Sequence, residues 1–552
     1  MLKNQLLPFL IVCLTASWGW SQDQGVFSGG LEANFNVFLK DSLIGANNTP
    51  QYERQLTGGE AWLDLNYAYK GFLVGMRFDM FNNSNLLNPT GSYTGQGIGR
   101  WFIQKKIKKF GIEVGYIYDQ VGSGIIYRST EMRPLLIDNA LVGAKLTYDI
   151  NDDWQIKGFS GQQKFLFDVN DGIIKGISID GFLSLGSEES PVSLSPGLGF
   201  VNRTLSDESM DNIISEVKNY NGADRFLPEY NVYLATIYNT LSYKGFTWYA
   251  EAAFKSEDTF FDPNAERLLT SGGTDIGRYV KKRGSVLYSS LSFAAGKLGV
   301  TAEVKRTENF NFRTDPALQL NRGLVNWIPP MNRINTYRLT ARYAPAVQDL
   351  SELGFQFDVR YRFNKKWSAN VNVSNVTTKS GDPLYKEIFT EVVYKYKRKW
   401  QLAAGVQHQQ YNQDVYETKP GVPIVNTITP YFDFLYKINR KKSIRFESQF
   451  MSTDEDFGSW IFAQVEYSIA PKWNFETSFM YNVSPSKKSP VDPESGESLK
   501  ILYPSFGITH IAGSNRFNLR YVKQVEGIVC SGGVCRLEPA FSGVRFSVSS
   551  TF

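Results

Sequence analysis

The stretch Gly354–Phe363 reads GFQFDVRYRF and alternates between two kinds of side chain. One face is apolar or aromatic, and the other is polar or charged. The apolar face holds Phe355, Phe357, Val359, Tyr361 and Phe363, and the polar face holds Gln356, Asp358, Arg360 and Arg362. A period of two indicates a β-strand with two different faces. The length matches the roughly 9–11 residues with which a tilted strand crosses a bilayer.

The same pattern recurs along the chain, for example in Trp367–Ser374, in Trp473–Val483 and in Phe72–Met80. In Phe72–Met80, Arg77 and Asp79 lie on the polar face, which we expect to face the lumen. Soluble β-sandwiches also alternate, but their strands are usually shorter and more often interrupted. The 552 residues have a mean hydropathy of −0.28 and no apolar run of the roughly 18 residues that a membrane helix needs. Aromatic residues make up 14% of the chain, an excess typical of membrane strands with aromatic girdles.

The connections between the strands alternate in length. Tight turns such as Tyr69–Phe72 and Tyr243–Phe246 separate longer polar connections. The longer connections are 41–56, 84–95, 120–137, 205–228, 257–283, 308–334, 412–424, 484–499 and 526–540. This alternation is typical of a barrel with short periplasmic turns and long extracellular loops.

The pattern gives about 25 strands, but a barrel with both ends on one side needs an even number. The alternation is least clear in 308–353, where Pro329-Pro330 and Ala344-Pro345 interrupt it. We therefore expect an all-β fold, a single large transmembrane antiparallel β-barrel of about 24–26 strands. A short helix capped by Ser206 is expected in one outer loop, with an apolar stripe formed by Met210, Ile213, Ile214 and Val217.

The N-terminus has the features of a secretory signal peptide over residues 1–21, which leaves the barrel at 22–552. Lys3 precedes the apolar stretch Leu6–Leu14, and the small residues Gly19 and Ser21 precede a cleavage point. A lipoprotein with a lipidated Cys13 is the alternative, and the bulky Val12 before that cysteine argues against it.

The C-terminal strand resembles the signal that the bacterial barrel-insertion machinery recognises. Its residues Val544, Phe546, Val548 and the terminal Phe552 share one face. The alternative is an ordinary edge strand that ends in phenylalanine. Together with a signal peptide, this pattern predicts an integral protein of the cell outer membrane of a Gram-negative bacterium. Outer-membrane lipid, the insertion machinery and other outer-membrane proteins are the expected partners.

Composition argues against several other classes of function. A net charge of +5 is too small to indicate a nucleic-acid partner, and only two histidines are present. No phosphate-binding GxxxxGK[ST] loop, HExxH motif or CxxC pair occurs, so we expect no cofactor, no metal site, no catalytic residues and no enzymatic activity. Cys530 and Cys535 flank a glycine-rich turn, where we expect a loop disulfide; a free or metal-binding pair is the alternative.

Several short stretches resemble a family of outer-membrane β-barrel proteins of Bacteroidota that is defined as a domain of unknown function. They are Gly29–Glu32, Gly122–Glu131, Ile137–Asn139, Trp327–Pro330 and Asn335–Tyr337. The resemblance covers nearly the whole mature chain. It implies a barrel and a membrane location, and it carries no known activity.

The candidate functional site is the segment 122–143, which places Arg128, Glu131, Arg133 and Asp138 among glycines. As a constriction loop folded into the lumen, it would narrow a pore or bind a solute. The alternative is a solvated loop whose surface ion pairs contribute little.

The expected function is a passive channel or transporter for small solutes. The first strand begins near Val26, which leaves no room for an N-terminal plug domain, so we do not expect a TonB-dependent receptor. A structural or scaffold barrel within an outer-membrane assembly is the alternative function.

Overall fold

A computed structural model describes residues 25–187, 190–531 and 533–552. The predicted signal peptide, residues 1–21, lies outside the described residues. In the described part of the chain, 24 antiparallel strands form one closed sheet. The strands are Val26–Phe38 (β1), Thr57–Tyr69 (β2), Phe72–Ser84 (β3), Tyr93–Ile107 (β4), Phe110–Ile117 (β5), Leu141–Asp149 (β6), Trp154–Phe165 (β7), Asp168–Gly181 (β8), Ser190–Thr204 (β9), Asn231–Tyr243 (β10), Phe246–Leu268 (β11), Thr274–Ala295 (β12), Leu298–Glu308 (β13), Ser351–Arg362 (β14), Trp367–Thr377 (β15), Pro383–Tyr396 (β16), Trp400–Tyr411 (β17), Val425–Lys437 (β18), Lys442–Met451 (β19), Gly458–Ile469 (β20), Trp473–Pro485 (β21), Leu502–Ala512 (β22), Asn515–Gln524 (β23) and Phe541–Thr551 (β24).

The sheet closes because its first and last strands pair. β1 and β24 run antiparallel with Ala33 opposite Val548, and each strand pairs on its other side with β2 or β23. A short strand, Leu183–Ser187, extends β8 after a break at Phe182 and pairs with β9. The prediction of a single closed antiparallel barrel is confirmed, and its strand number falls within the expected range.

The two ends of the barrel differ in the length of their connections, as the sequence indicates. At one end, the short-turn end, consecutive strands join through tight turns. Lys70 and Gly71 between β2 and β3 both have positive φ, at 46° and 76°, which suits the twist of a two-residue hairpin. At the opposite end, the long-loop end, the connections include 39–56, 118–140, 205–230 and 309–350.

The longest connection, residues 309–350, folds into the barrel, and we call it the lumen segment. Its ends pair at the rim, where Asn309 N donates to Leu350 O at 2.8 Å and Phe310 N donates to Asp349 O at 2.7 Å. Described residues of this interval contribute no strand to the barrel. The sequence pattern gives one strand too many because apolar residues of the lumen segment resemble those of a membrane-spanning strand.

The helices lie in the long-loop connections. Helix α1, Asp207–Val217, begins where the Ser206 side chain accepts a hydrogen bond from Ser209 N, as the capping pattern predicts. Met210, Ile213 and Val217 are buried, whereas Ile214 is exposed. Helix α2 is Gln413–Tyr416, and single turns occupy Ser42–Ile44, Gln51–Gln55 and Arg133–Leu135. No helix in the described ranges is long and apolar enough to cross a membrane.

Barrel closure can be tested by cross-linking the first strand to the last. Because Ala33 and Val548 are direct partners, the double variant Ala33→Cys with Val548→Cys should form an intramolecular disulfide on mild oxidation. Mass spectrometry of the membrane-extracted protein would detect the linked peptides. Ala33→Cys with Ser550→Cys is the matched control, because Ser550 lies on the same face of β24 as Val548 but pairs with Leu31 and not with Ala33. Equal cross-linking of both pairs would contradict the register.

Candidate functional site

Two connections from the long-loop end meet inside the barrel. The connection 118–140 contacts the lumen segment through its backbone: Arg128 N donates to Val325 O at 2.9 Å, and Trp327 N donates to Gly124 O at 2.9 Å. The amide of Asn139 also donates to Leu324 O at 3.0 Å. These bonds join both connections into one internal layer within the lumen.

This internal layer has an apolar interior of its own. On one side, Ile125, Phe310 and Phe312 are at most 1% exposed and pack against inward-facing residues of the neighbouring strands. On the other side, Met331 and Leu339 are each 1% exposed and belong to a second cluster with wall residues of β15 to β24. Burial of this kind favours a filled lumen over a hydrated one.

Ion pairs attach connection 118–140 to the barrel wall, and Arg77 of β3 is their centre. Its guanidinium is 1% exposed and lies 2.6 Å from Asp79, 2.7 Å from Glu131 and 3.0 Å from Asp138. A buried charge is tolerated only when partners replace its hydration, and three carboxylates do so here. Glu131 and Asp138 are thereby fixed against β3.

Arg133 makes a second attachment to the wall. Its guanidinium lies 2.6 Å from Glu32 of β1, 3.1 Å from Asp64 of β2 and 3.0 Å from Glu131. It also lies over the ring of Trp62, 5.2 Å from the centroid. A planar cation with several donors suits a site that must bridge carboxylates on separate strands.

Asp138 receives further partners from two sides. The hydroxyl of Tyr118 donates to its Oδ1 at 2.6 Å, and the ammonium of Lys164 on β7 contacts Oδ2. Burial alone would raise the pKa of Asp138, but the charges of Lys164 and Arg77 outweigh it and hold the pKa below its usual value. The carboxylate therefore stays ionised and keeps its partners.

Arg128, the fourth residue of the predicted site, lies apart from the other three. Its guanidinium stacks on Trp327 of the lumen segment, 4.5 Å from the ring, and burial lowers its pKa. The structure thus brings Glu131, Arg133 and Asp138 together. Arg128 instead contacts the lumen segment. The wall residues Arg77, Asp79 and Lys164 complete the site. The sequence indicated Arg77 and Asp79, because both lie on the polar face of the alternating stretch Phe72–Met80.

The C-terminal part of the lumen segment is attached at Asp456, in the connection between β19 and β20. The hydroxyl of Tyr343 donates to Asp456 at 2.8 Å, while Lys488 lies 2.9 Å and Arg342 3.6 Å from its carboxylate. Burial raises the pKa of Asp456, but the charges of Arg342 and Lys488 outweigh that effect and lower the pKa to about 2. This site was not found in the sequence, since its members are far apart along the chain.

Between these ends, the lumen segment rests on polar side chains of the wall. Asn335 donates to Glu387 at 2.8 Å, the amide of Gln407 donates to Thr340 O at 3.1 Å, and Leu339 N donates to Gln449 at 2.7 Å. Several wall oxygens have no hydrogen-bond partner among the described residues, namely Glu387 Oε2, Gln407 Oε1, Gln409 Oε1, Thr427 Oγ1 and Thr429 Oγ1.

Cys530 and Cys535 form a disulfide in the hairpin Gly527–Ser531 and Val534–Glu538, with an S–S distance of 1.94 Å. This hairpin reaches the lumen segment. Val347 N donates to Gly533 O at 3.0 Å, and Cys530 Sγ lies 3.1 Å from Ala344 O. The disulfide therefore stiffens a loop that holds the end of the lumen segment in place.

The residues of the predicted insertion signal lie on β24 and at its end. Phe546 and Phe552 are 38% and 44% exposed on the outside of the barrel, on the face that Val544 and Val548 share. Phe552 exchanges two backbone hydrogen bonds with Gly29, at 2.8 and 3.0 Å. Recognition by the insertion machinery stays a prediction.

Neither the lumen nor the loops hold a group of three His, Cys, Asp or Glu side chains that could bind a metal ion, within the described ranges. The arrangement is built from ion pairs and packing. What it can do is hold the lumen segment in the barrel.

Comparison with known proteins adds a family and a set of similar folds. Residues 1–552 match the Family of unknown function (DUF6029). The chain belongs to this family. None of the curated proteins matches the sequence.

Among solved structures, a mutant of the ferric enterobactin receptor of Pseudomonas aeruginosa is similar, with 8% identity, a TM-score of 0.41, and coverage of 96% of this chain and 81% of that chain. The siderophore receptor PirA of the same organism gives 7% identity, a TM-score of 0.39, and coverage of 97% and 81%. The translocation pore of the P pilus usher PapC gives 10% identity, a TM-score of 0.39, and coverage of 95% and 99%.

The expected function, a passive channel or transporter that is not TonB-dependent, with a scaffold barrel as its alternative, is wrong. In this chain the lumen segment and connection 118–140 occupy the interior. The sequence favoured a passage because the polar strand faces do not show whether water or protein covers them.

The attachment of the lumen segment at Asp456 can be tested with Asp456→Asn. Its depressed pKa corresponds to about 2 kcal/mol at neutral pH. We expect amides of residues 331–347 to exchange hydrogen about 30-fold faster at pH 7. Asp454→Asn, an exposed aspartate in the same connection, is the control and should change nothing. Because the folded pKa lies below the unfolded value, the difference in unfolding free energy between wild type and Asp456→Asn should disappear as the pH falls toward 2.

Loss of the disulfide should act locally. In the double variant Cys530→Ser with Cys535→Ser, we expect faster hydrogen exchange at residues 344–347 and unchanged exchange in β6 and β7, because the hairpin contacts the lumen segment only near its end. Hydrogen-exchange mass spectrometry measures both regions in one sample. Unchanged protection at 344–347 would show that the hairpin does not hold the segment.

Proposed function

We propose that this protein is an integral outer-membrane barrel that binds a ligand at its long-loop end and is closed at rest by its own lumen segment. Passage through the barrel would then require the lumen segment to move. The observation that carries the proposal is the packed layer of residues 309–350 and 118–140 inside the barrel. The role is binding and controlled passage, with no catalytic step.

The polarity of the wall beneath the lumen segment supports movement. Gln407, Gln409, Thr427 and Thr429 are at most 2% exposed, yet each has an oxygen without a partner in the described chain. A buried polar atom without a hydrogen bond is destabilising by about 1–3 kcal/mol, and hydration restores the bond. Withdrawal of the lumen segment would hydrate these atoms, which lowers the free energy of the open state.

The position of the ion pairs supports coupling to a ligand from outside. A cavity of about 80 Å³ lies where Leu86, Leu136 and Leu166 of three loops meet Arg77 and the lumen segment. Its floor is the network of Arg77 and Asp138, and its wall includes Asn321–Gly323 of the lumen segment. A ligand that widened this cavity would therefore act directly on both internal connections.

The proposal is tested by excising Asn311–Gln348 and joining its ends through a short glycine-serine linker. The excision is compatible with the barrel because Phe310 and Asp349 already pair at the rim. We expect wild type to be electrically silent in planar bilayers and the excised variant to give stepwise ion conductance, since the lumen segment no longer fills the interior.

A shortened β11–β12 hairpin, lacking residues 267–275 at its tip, is the control and should stay silent because this tip lies beyond the barrel. If the excised protein fails to assemble, Leu339→Asp serves as the second variant: a carboxylate at this buried position should destabilise the closed arrangement and give transient openings. An open wild type, or silence of both lumen variants, would overturn the proposal.

A further inference from the structure

The outside of the barrel carries an apolar groove that the lumen does not involve. Its floor consists of Ala250 and Ala252 on β11, and its walls are Ile237 on one side and Leu287 and Val304 on the other. The groove has a volume of about 800 Å³, within the range of binding pockets for small molecules. It forms because two outward-facing alanines lie between larger side chains.

The strand register places these residues in rows across the sheet. Ile237 pairs with Ala252, Ala252 with Leu287, and Leu287 with Arg306, so one row runs from the groove wall across its floor to a cation. The outward direction of this row follows from the exposure of Ile237 and Leu287, at 61% and 46%. Arg306 thus lies on the lipid-facing side, within reach of anything held in the groove.

Three charged side chains at the long-loop side of the groove, Arg306, Glu308 and Lys379, have a net charge of one positive unit. Arg306 donates to Ser285 at 3.3 Å and contacts the carboxylate of Glu308, which also contacts the ammonium of Lys379. Two cations share this single carboxylate. A charged side chain facing lipid is unfavourable unless it reaches headgroups or a partner, so an anion beside Arg306 and Lys379 would complete the pairing.

We propose that this groove binds one anionic glycerophospholipid. An acyl chain lies over Ala250 and Ala252, and the phosphodiester contacts Arg306 and Lys379. Acyl chains gain little by exchanging bulk lipid for an apolar protein surface, so the shape of the groove and the charge of the headgroup decide the affinity. The single negative charge of a phosphodiester complements the single net positive charge of the cluster.

Native mass spectrometry of the delipidated full chain, titrated with phosphatidylglycerol or phosphatidylcholine, tests the proposal. We expect one phosphatidylglycerol to be retained more tightly than phosphatidylcholine. Ala252→Leu fills the groove and should abolish this preference. Ala404→Leu, at an outward-facing alanine between Val392 and Phe432 six strands away on β17, is the matched control and should retain it.

The charge is tested separately. Arg306→Gln should weaken phosphatidylglycerol binding about fivefold, and Arg306→Lys should retain most of it. If Ala252→Leu does not assemble, the two Arg306 variants decide the question. Equal retention of both lipids by wild type, equal effects of Ala252→Leu and Ala404→Leu, or a bound protein that occupies this face in place of lipid would each overturn the proposal. Because the groove lies outside the barrel, excision of the lumen segment should leave lipid binding unchanged, which separates this test from that of the closed lumen.

Discussion

Closure of the sheet is the constraint on which the rest of this structure depends. Pairing of β1 with β24 leaves no open edge, so the strands enclose an interior whose width is set by their number. A barrel of 24 strands is too wide for its own wall side chains to fill. The interior must therefore hold water or additional chain, and here it holds residues 118–140 and 309–350. The long connections, the apolar inner clusters and the buried ion pairs all follow because additional chain, and not only water, occupies the interior.

The inner layer needs two kinds of attachment because the wall that it meets is mixed. Near the long-loop end, apolar wall residues such as Trp460 and Met451 pack with Met331 and Leu339. Elsewhere the wall is charged, and the inner layer brings opposite charges to it, as Glu131 does for Arg77. Breaking one partner of such a buried set leaves an uncompensated charge, so ion pairs fix the position of the layer more sharply than packing alone.

The two faces of the barrel have different roles. Inside, polar side chains of the wall hold the internal layer of residues 118–140 and 309–350. Outside, the strands are apolar. The groove forms because Ala250 and Ala252, two successive outward-facing residues of β11, are smaller than their neighbours. Arg306 is a charged residue at the edge of that apolar region, and the same alternation that directs Lys305 inward directs Arg306 outward.

The sequence by itself determined the architecture. A period of two over about ten residues fixes which side chains face lipid, and Phe355 and Phe357 are exposed on the outside as that period requires. It also indicated Arg77 and Asp79 as inward-facing charges and Ser206 as a helix cap. These features are local, since each depends on residues close together in the chain.

Only the tertiary structure decided what fills the lumen. The period-two pattern assigns a polar strand face to the interior but does not say whether water or protein covers it, because that depends on contacts between distant segments. Tyr343 meets Asp456 across 113 residues of sequence, and Asn139 meets Leu324 across 185. Pro329-Pro330, Pro345 and apolar residues in 309–350 gave the signal of an interrupted strand. A loop buried inside the barrel, however, needs the same apolar side chains as a strand. The internal layer is therefore a property of the assembled barrel.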